Sequence, residues 1–156
     1  MADSIELDQL LCFDLHAAAR AVGALYRPLL APLGLTYPQY LVLVALWRRP
    51  SLSIKELSDQ LQLDYGTLTP LLQRMAGAGW LTRRRSETDE RSVIVAITPA
   101  GKTLRRKLAH VPDQICAGLG LSAVQRQRLQ RTLRALTGSA LAYPQGSQRR
   151  SASNPR

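Results

Sequence analysis

The chain has 156 residues, 46% of them hydrophobic and 21% charged, and a formal net charge of +10 at pH 7. That length predicts one domain with a real hydrophobic core, and no apolar run approaches the roughly 20 residues that a membrane-spanning helix needs. The two cysteines, Cys12 and Cys116, lie too far apart for a zinc motif or a small disulfide scaffold. The acidic N-terminus lacks the basic flank of a signal peptide, so we expect a cytoplasmic protein.

The excess of positive over negative charge comes entirely from the C-terminal part of the sequence. Residues 99–156 contain eleven lysines and arginines and one acid, Asp113, whereas the first 98 residues are neutral. A strongly basic chain often has a polyanionic partner. Because the excess charge lies in one part of the chain, it supports a nucleic-acid partner only weakly.

The first predicted helix covers residues from about 6 to 30. Its apolar residues recur at intervals of three and four and form one broad stripe: Leu7, Leu10, Leu11, Leu15, Ala18, Ala19, Val22, Leu25 and Tyr26. The helix is longer than a small core requires. Part of the stripe is therefore available to face a second subunit.

Capping boxes mark the next two helices. Thr36 and Gln39 form one, and Pro38 fits the first turn of the helix that follows, TYPQYLVLVALW. This helix is apolar on nearly all sides, so we expect it to be the most buried. Ser53 and Glu56 form the second box and open the helix IKELSDQL.

A fourth helix is predicted from Asp64, its N-cap, to about Gly77. Pro70 lies inside this pattern, where its ring opposes the carbonyl group of Gly66. The helix either starts late, capped by Thr69, or has a distorted first turn. The distorted turn is preferred because a glycine tolerates it best.

Two strand-like runs follow the fourth helix. They begin at Trp80 and at Ser92, and residues 86–90 between them are typical of a turn. Two helices followed by a hairpin outline a winged helix-turn-helix from Ser53 to Thr98.

The rest of the chain is predicted to be helical and then disordered. One helix, with Thr98 as its N-cap and Pro99 in its first turn, is expected from about 99 to 117. A capping box of Ser122 and Gln125 opens a last helix to about 142. Residues 143–156 have no apolar periodicity and are predicted to be disordered.

A recognition helix presents the polar side chains of its first turns to base edges. In the fourth helix the outward polar residues are Tyr65, Thr67, Thr69, Gln73 and Arg74. The hairpin carries arginines suited to phosphates and the minor groove, with two acids expected to hold an arginine in place: Arg83, Arg84, Arg85 and Arg91, with Asp89 and Glu90. A solvated, charged hairpin on a small helical domain is the alternative interpretation.

This order of elements resembles the MarR-type regulators over about residues 6–142. The resemblance implies a mainly α (α+β) fold, a winged helix-turn-helix with N- and C-terminal dimerisation helices. It also implies a homodimer on a pseudo-palindromic operator in double-stranded DNA. The expected organisation is a single domain at 1–142, with its DNA-binding lobe at about 53–98 and dimerisation helices at about 6–30 and 99–142.

The segment LCFDLHAAARAVGALYRPLLAPLGLTYPQYLVLVALW is similar to the organic hydroperoxide resistance regulators, a peroxide-sensing branch of that group. In this branch two tyrosines hydrogen-bond to a reactive cysteine of the first helix, and the matching residues here are Tyr26, Tyr37 and Cys12. In two-cysteine members, a second cysteine of the other subunit forms a disulfide with the oxidised one. Cys116 falls near that position, and a merely buried thiol is the alternative.

The residue types near Cys12 suit this chemistry. A thiolate attacks a peroxide O–O bond and becomes a sulfenic acid. Phenol groups can donate hydrogen bonds to the thiolate, and apolar neighbours favour organic peroxides. His16, four residues on, lies on the same helical face, where the family often has tyrosine. It either helps to ionise Cys12 or is simply exposed, and exposure is preferred.

The sequence therefore predicts a homodimeric DNA-binding repressor that senses organic hydroperoxides by oxidation of Cys12 and then releases its operator. No enzymatic activity, catalytic residue, cofactor, metal or membrane partner is expected. The alternative is a MarR-type repressor released by a small phenolic or other ligand. A thiol peroxidase lacks a second thiol in a redox motif, and an architectural basic protein would rely on the arginine-rich C-terminal half.

Overall fold

The computed structural model describes residues 6–86 and 92–143, without the side chain of Asp8. The chain divides into two compact units, Met1–Gly118 and Leu119–Arg156. The predicted turn residues 87–90, the site residues Asp89 and Arg91, and the tail from 144 lie outside the described residues. The single domain expected at 1–142 stays a prediction.

The elements follow the winged-helix order. They are α1 (Leu11–Leu30), α2 (Tyr37–Arg48), β1 (Ser51–Ser53), α3 (Ile54–Leu61), α4 (Tyr65–Gly77), β2 (Leu81–Arg85), β3 (Val93–Ile97), α5 (Pro99–Lys107), α6 (Val111–Gly118) and α7 (Ala123–Ala142). Short 3-10 turns flank α1 on both sides. The predicted class, mainly helical with a small sheet, is confirmed.

The first two helices differ in how much they bury within one chain. In α1 only Leu30 is buried, and Leu11 and Phe13 remain 63% and 44% exposed. In α2 half of the residues are buried, including Val42 and Leu43 with no solvent contact. The expected burial of α2 is thus confirmed, whereas most of the apolar stripe on α1 is uncovered in one chain.

No single helix in the described part of the chain is long and apolar enough to cross a membrane. Helix α1, with the turn after it, passes that test only together with α2, across a bend of 75°.

The predicted caps are present because each links residues only three apart in the chain. The Ser53 hydroxyl accepts from the Glu56 N–H at 3.1 Å, and the Glu56 carboxylate accepts from the Ser53 N–H at 2.8 Å. The Ser53 N–H and the Ser53 hydroxyl, which both donate to the Glu56 carboxylate, lower the pKa of Glu56 together with Arg49. Gln39, Thr98 and Ser122 make their expected cap bonds at 2.9 to 3.1 Å.

The sheet contains one strand more than predicted. Its order is β1-β3-β2, and both neighbours pair with β3 in antiparallel register. Leu52 of β1 lies opposite Val95, and both are fully buried. A strand of three residues has too little sequence pattern to be predicted, since its stability comes from this distant partner.

Helix α4 begins at Tyr65 and includes Pro70, so the late start at Thr69 is wrong. The Asp64 carboxylate accepts from the backbone N–H of Thr67 at 2.8 Å and caps the helix as predicted. An early cap satisfies the first-turn donors, which outweighs the bond that the proline lacks.

The single helix expected at 99–117 is also wrong, because the chain forms two helices there. Helix α5 ends at Lys107, and α6 begins at Val111. Pro112 has no N–H for the carbonyl of Leu108, and its ring would clash with that carbonyl in a continuous helix. The Val111 N–H bonds to Leu108 at 3.1 Å instead, so three helices follow the hairpin.

Candidate functional site

A groove of about 860 Å³ runs along α1 and the start of α2. Its lining residues are Phe13, His16, Ala17, Arg20, Ala21, Gly23, Ala24, Tyr26, Arg27, Leu30, Leu35, Thr36 and Tyr37. His16 is exposed, as preferred from the sequence. The lining combines small residues of α1 with aromatic and basic side chains.

Three phenols form a cluster at one end of this groove, the tyrosine cluster of Tyr26, Tyr37 and Tyr40. The ring centroids of Tyr26 and Tyr37 lie 4.4 Å apart, and those of Tyr26 and Tyr40 lie 5.8 Å apart. Burial raises the pKa of all three, that of Tyr26 to about 12. The phenols therefore keep their protons at neutral pH and remain hydrogen-bond donors.

Cys116 on α6 lies beside the tyrosine cluster. Its thiol is half-buried and free, and it lies within electrostatic range of the Tyr26 phenol. Helix α6 packs against α1, which carries Tyr26, although Cys116 itself does not line the groove. The structure thus brings three of the predicted redox residues together: Tyr26, Tyr37 and Cys116.

Cys12 lies elsewhere in the same chain. It is exposed in the first turn of α1 and does not line the groove. Fourteen residues of one helix separate it from Tyr26, which corresponds to about 21 Å along the axis. Within one chain, neither Tyr26 nor Cys116 can reach the Cys12 thiol.

Helix α4 presents most of the predicted DNA-contacting residues to solvent. Tyr65, Gln73 and Arg74 are exposed, whereas Thr69 is half-buried. Thr67 is exposed, and its backbone N–H and then its hydroxyl, each 2.8 Å from the Asp64 carboxylate, lower the pKa of that carboxyl. The cap therefore fixes the Thr67 side chain at the start of the helix.

The hairpin arginines of β2 differ in their exposure. Arg84 and Arg85 are exposed. Arg83 pairs in register with the buried Val95 and is half-buried, and its Nε has no hydrogen-bond partner in the structure as far as it is described. Asp89 and Arg91, expected to complete the wing, lie outside the described residues.

The sequence interpretation did not include Tyr40 or Trp47 in the site. Tyr40 is 6% exposed and lies between Tyr26 and Trp47, whose ring centroid is 6.1 Å from its own. A signal existed, because Tyr40 follows Tyr37 by three residues and so shares its helical face. Trp47 follows Tyr40 by two helical turns, but its bond to Gly101 across 54 positions carried no local signal.

Known proteins resemble this chain over most of its length. The family model for the transcriptional regulators SarA/Rot matches residues 24–108. The organic hydroperoxide resistance transcriptional regulator of Bacillus subtilis is 45% identical over 134 residues, which cover 86% of this chain and 89% of that protein.

Solved structures of similar fold include two states of AbfR from Staphylococcus epidermidis. Reduced AbfR bound to DNA is 27% identical, with a TM-score of 0.75, and covers 86% of this chain and 92% of its own. Disulfide-formed AbfR is 30% identical, with a TM-score of 0.58, and the match covers 84% of this chain and 92% of that one. A mutant MarR of E. coli complexed with operator DNA is 25% identical, with a TM-score of 0.76, over 85% and 99%. The chain therefore belongs to the MarR-type winged-helix transcriptional regulators, in their organic hydroperoxide resistance branch.

Proposed function

We propose that this regulator is a homodimeric repressor that binds operator DNA when reduced and releases it after an organic hydroperoxide oxidises Cys12. The observation that carries the proposal is the separation of Cys12 from the tyrosine cluster. Cys12 and Tyr26, two residues that match the peroxide-sensing site, lie about 21 Å apart along one helix. They meet only if a second copy supplies the cysteine.

The groove along α1 suits the α1 helix of a second copy. If two α1 helices pair in antiparallel directions and Cys12 faces Tyr26, the two-fold axis passes near Ala19, midway between them. The residues around that midpoint are small and exposed: Ala17, Ala18, Ala19 and Ala21. Small side chains allow two helices to approach closely. The exposed Leu11 and Phe13 would then be covered in the dimer.

The final helix supports the same assembly. Described by itself, α7 exposes apolar side chains at helical spacing, among them Leu129, Leu133 and Leu136. An exposed apolar face of this kind marks an interaction surface.

The chemistry proceeds in two balanced steps. The Cys12 thiolate attacks the terminal oxygen of the hydroperoxide, the O–O bond breaks, and the alkoxide leaves and takes a proton to become an alcohol. Cys12 is then a sulfenic acid. Attack on its sulfur by the thiolate of Cys116 from the partner expels hydroxide, which takes a proton to become water, and leaves an intersubunit disulfide.

Release follows from the geometry of that disulfide. The Cα atoms of a disulfide lie about 4.4–6.8 Å apart, so Cys12 and Cys116 must approach to that range across the dimer interface. Movement of α1 or α6 shifts the two winged helices relative to each other, and a dimer reads its two half-sites only at a fixed spacing. Tyr65, Gln73 and Arg74 on α4 and Arg84 and Arg85 on β2 are the proposed DNA contacts. Further contacts are proposed for Thr67, Thr69, Arg83 and the wing residues Asp89 and Arg91.

Mass spectrometry after one equivalent of cumene hydroperoxide tests the chemistry. We expect a disulfide between Cys12 and Cys116 and loss of binding to an operator selected from a random DNA library. Cys12→Ser should stay bound, whereas the control Cys116→Ser should stop at a sulfenic acid or a mixed disulfide. If Cys12→Ser still releases the operator, thiol oxidation is not the trigger.

The volume and lining of the groove favour one other candidate, a repressor released by a small phenolic ligand bound there. The same Cys12→Ser experiment distinguishes the two, because a ligand would release both proteins. We further propose that the protein acts in the cytoplasm and is not an enzyme. Sustained peroxide consumption with an added thiol reductant would contradict the second statement.

A further inference from the structure

A line of aromatic rings leads from the tyrosine cluster to the far end of α2. Tyr40 and Trp47 are seven residues apart, two turns of the helix, so their side chains share one face. Tyr40 lies 5.8 Å from Tyr26 and 6.1 Å from Trp47, measured between ring centroids. Tyr40 is buried and closely packed. A displacement of the tyrosine cluster therefore has to move the side chains that pack against Tyr40 on this face of α2.

Trp47 also forms a directional contact with the element that follows the hairpin. Its indole Nε1–H donates to the backbone carbonyl of Gly101 at 3.0 Å, across 54 positions in the sequence. Gly101 is buried in the first turn of α5. A methyl group on Gly101 would lie 2.1 Å from the carbonyl oxygen of Trp80, so α5 and the residue before β2 are in direct contact.

The two ends of the hairpin meet at this point, which we call the hairpin base: Gly79, Trp80 and Thr98. The Thr98 N–H bonds to the carbonyl of Trp80 at 3.1 Å, and its hydroxyl donates to Gly79 at 2.7 Å. Trp80 precedes β2 and Thr98 follows β3. A shift of Gly101 relative to Trp80 therefore moves both strands together.

We propose that Trp47 is a positioning residue that passes a displacement of the tyrosine cluster, caused by oxidation of Cys12 beside it in the dimer, to the hairpin β2–β3. The inference rests on the proposed function. Core leucines also connect α2 with α3 and α4, but their contacts are apolar and without direction. The indole bond fixes one donor to one acceptor, so rotation or translation of α2 is passed to α5 and the hairpin base as a defined displacement.

Substitution of Trp47 by phenylalanine tests this role because it keeps an aromatic ring and removes only the N–H donor and part of the ring area. The measured quantity is the ratio of the operator Kd of fully oxidised protein to that of reduced protein. We expect Trp47→Phe to lower this ratio at least about fivefold, within the usual range of allosteric coupling. The Kd of the reduced protein and the rate of Cys12 oxidation should stay within about threefold of wild type.

Trp80→Phe is the matched control. Trp80 takes part in the hairpin base through its backbone carbonyl, which the substitution keeps. The substitution removes the same kind of indole N–H, and in the described part of the chain that group makes no hydrogen bond. The ratio should stay at the wild-type value. An unchanged ratio in folded Trp47→Phe would overturn the proposal.

If Trp47→Phe does not fold, incorporation of benzothienylalanine at position 47 replaces the N–H by sulfur and keeps the shape of the ring. The same fall in the ratio is expected, and an unchanged ratio again overturns the proposal. If wild-type protein itself keeps its operator after oxidation, the proposed function has failed. That result is distinct from an intact wild-type response that Trp47→Phe leaves unaltered.

Discussion

Replacing Gly101 by alanine measures how tightly α5 packs on the hairpin base. An added Cβ would lie 2.1 Å from the carbonyl oxygen of Trp80 and 2.8 Å from Cγ1 of Ile97. Real Cβ atoms essentially never approach other heavy atoms within 3.0 Å. The first turn of α5 must therefore move away from the hairpin base by about 1 Å, because a backbone carbonyl cannot swing aside as a flexible side chain can.

The cost combines three contributions. Overpacking of this kind costs about 1–3 kcal/mol. Displacement also weakens the hydrogen bond from Trp47 to Gly101, which is worth about 1 kcal/mol. Alanine is favoured over glycine inside a helix by about 0.5–1 kcal/mol, which offsets part of this. We expect a net loss of about 1–3 kcal/mol in the free energy of unfolding.

Equilibrium urea unfolding at a fixed protein concentration is the appropriate assay, because the stability of a dimer depends on concentration. Gly77→Ala is the matched control, since a Cβ there meets nothing within 4 Å. It should be as stable as wild type or slightly more so. A midpoint for Gly101→Ala at or above the wild-type value would refute the proposed tight contact.

Three further predictions concern titration, capping and assembly. Between pH 10 and about 12, the Tyr26 phenol ionises in the unfolded chain but not in the folded one, so stability falls as pH rises through this window. The full shift corresponds to a fall of about 2.7 kcal/mol, and solvent screening of the partly buried Tyr26 reduces it to about 1–2 kcal/mol. Tyr26→Phe should lack this fall. If its stability changes with alkaline pH as that of the wild type does, the raised pKa of Tyr26 is contradicted. Ser53→Ala removes the N-cap of α3 and should lower the free energy of unfolding in urea by about 1 kcal/mol. Ser51→Ala, at an exposed position nearby, is the control and should leave it unchanged, so equal midpoints for the two variants would show the cap to be unimportant. Leu133→Glu should shift the protein to monomer in sedimentation velocity at micromolar concentration, whereas Gln127→Glu should remain dimeric, and a dimer for both would remove α7 from the interface.

Local rules in the sequence predicted the helical part of the winged helix well. The cap residues Ser53, Asp64, Thr98 and Ser122 all make their expected bonds, because the partners lie three residues along the chain. The break at Pro112 also had a local signal, which the apolar pattern across it concealed. Its backbone lacks the donor that a continuous helix requires.

What the sequence determined by itself was the order of elements, the caps and the residue types of a peroxide-sensing site. The predicted helix at 6–30 already separated Cys12 from Tyr26, whereas only the tertiary structure brought Cys116 near Tyr26. It alone paired β1 with β3 and joined Trp47 to Gly101 across 54 positions. Helix caps depend on neighbouring residues, whereas strand register and contacts between helices depend on how distant segments pack. Packing across such distances leaves no periodic trace in one sequence.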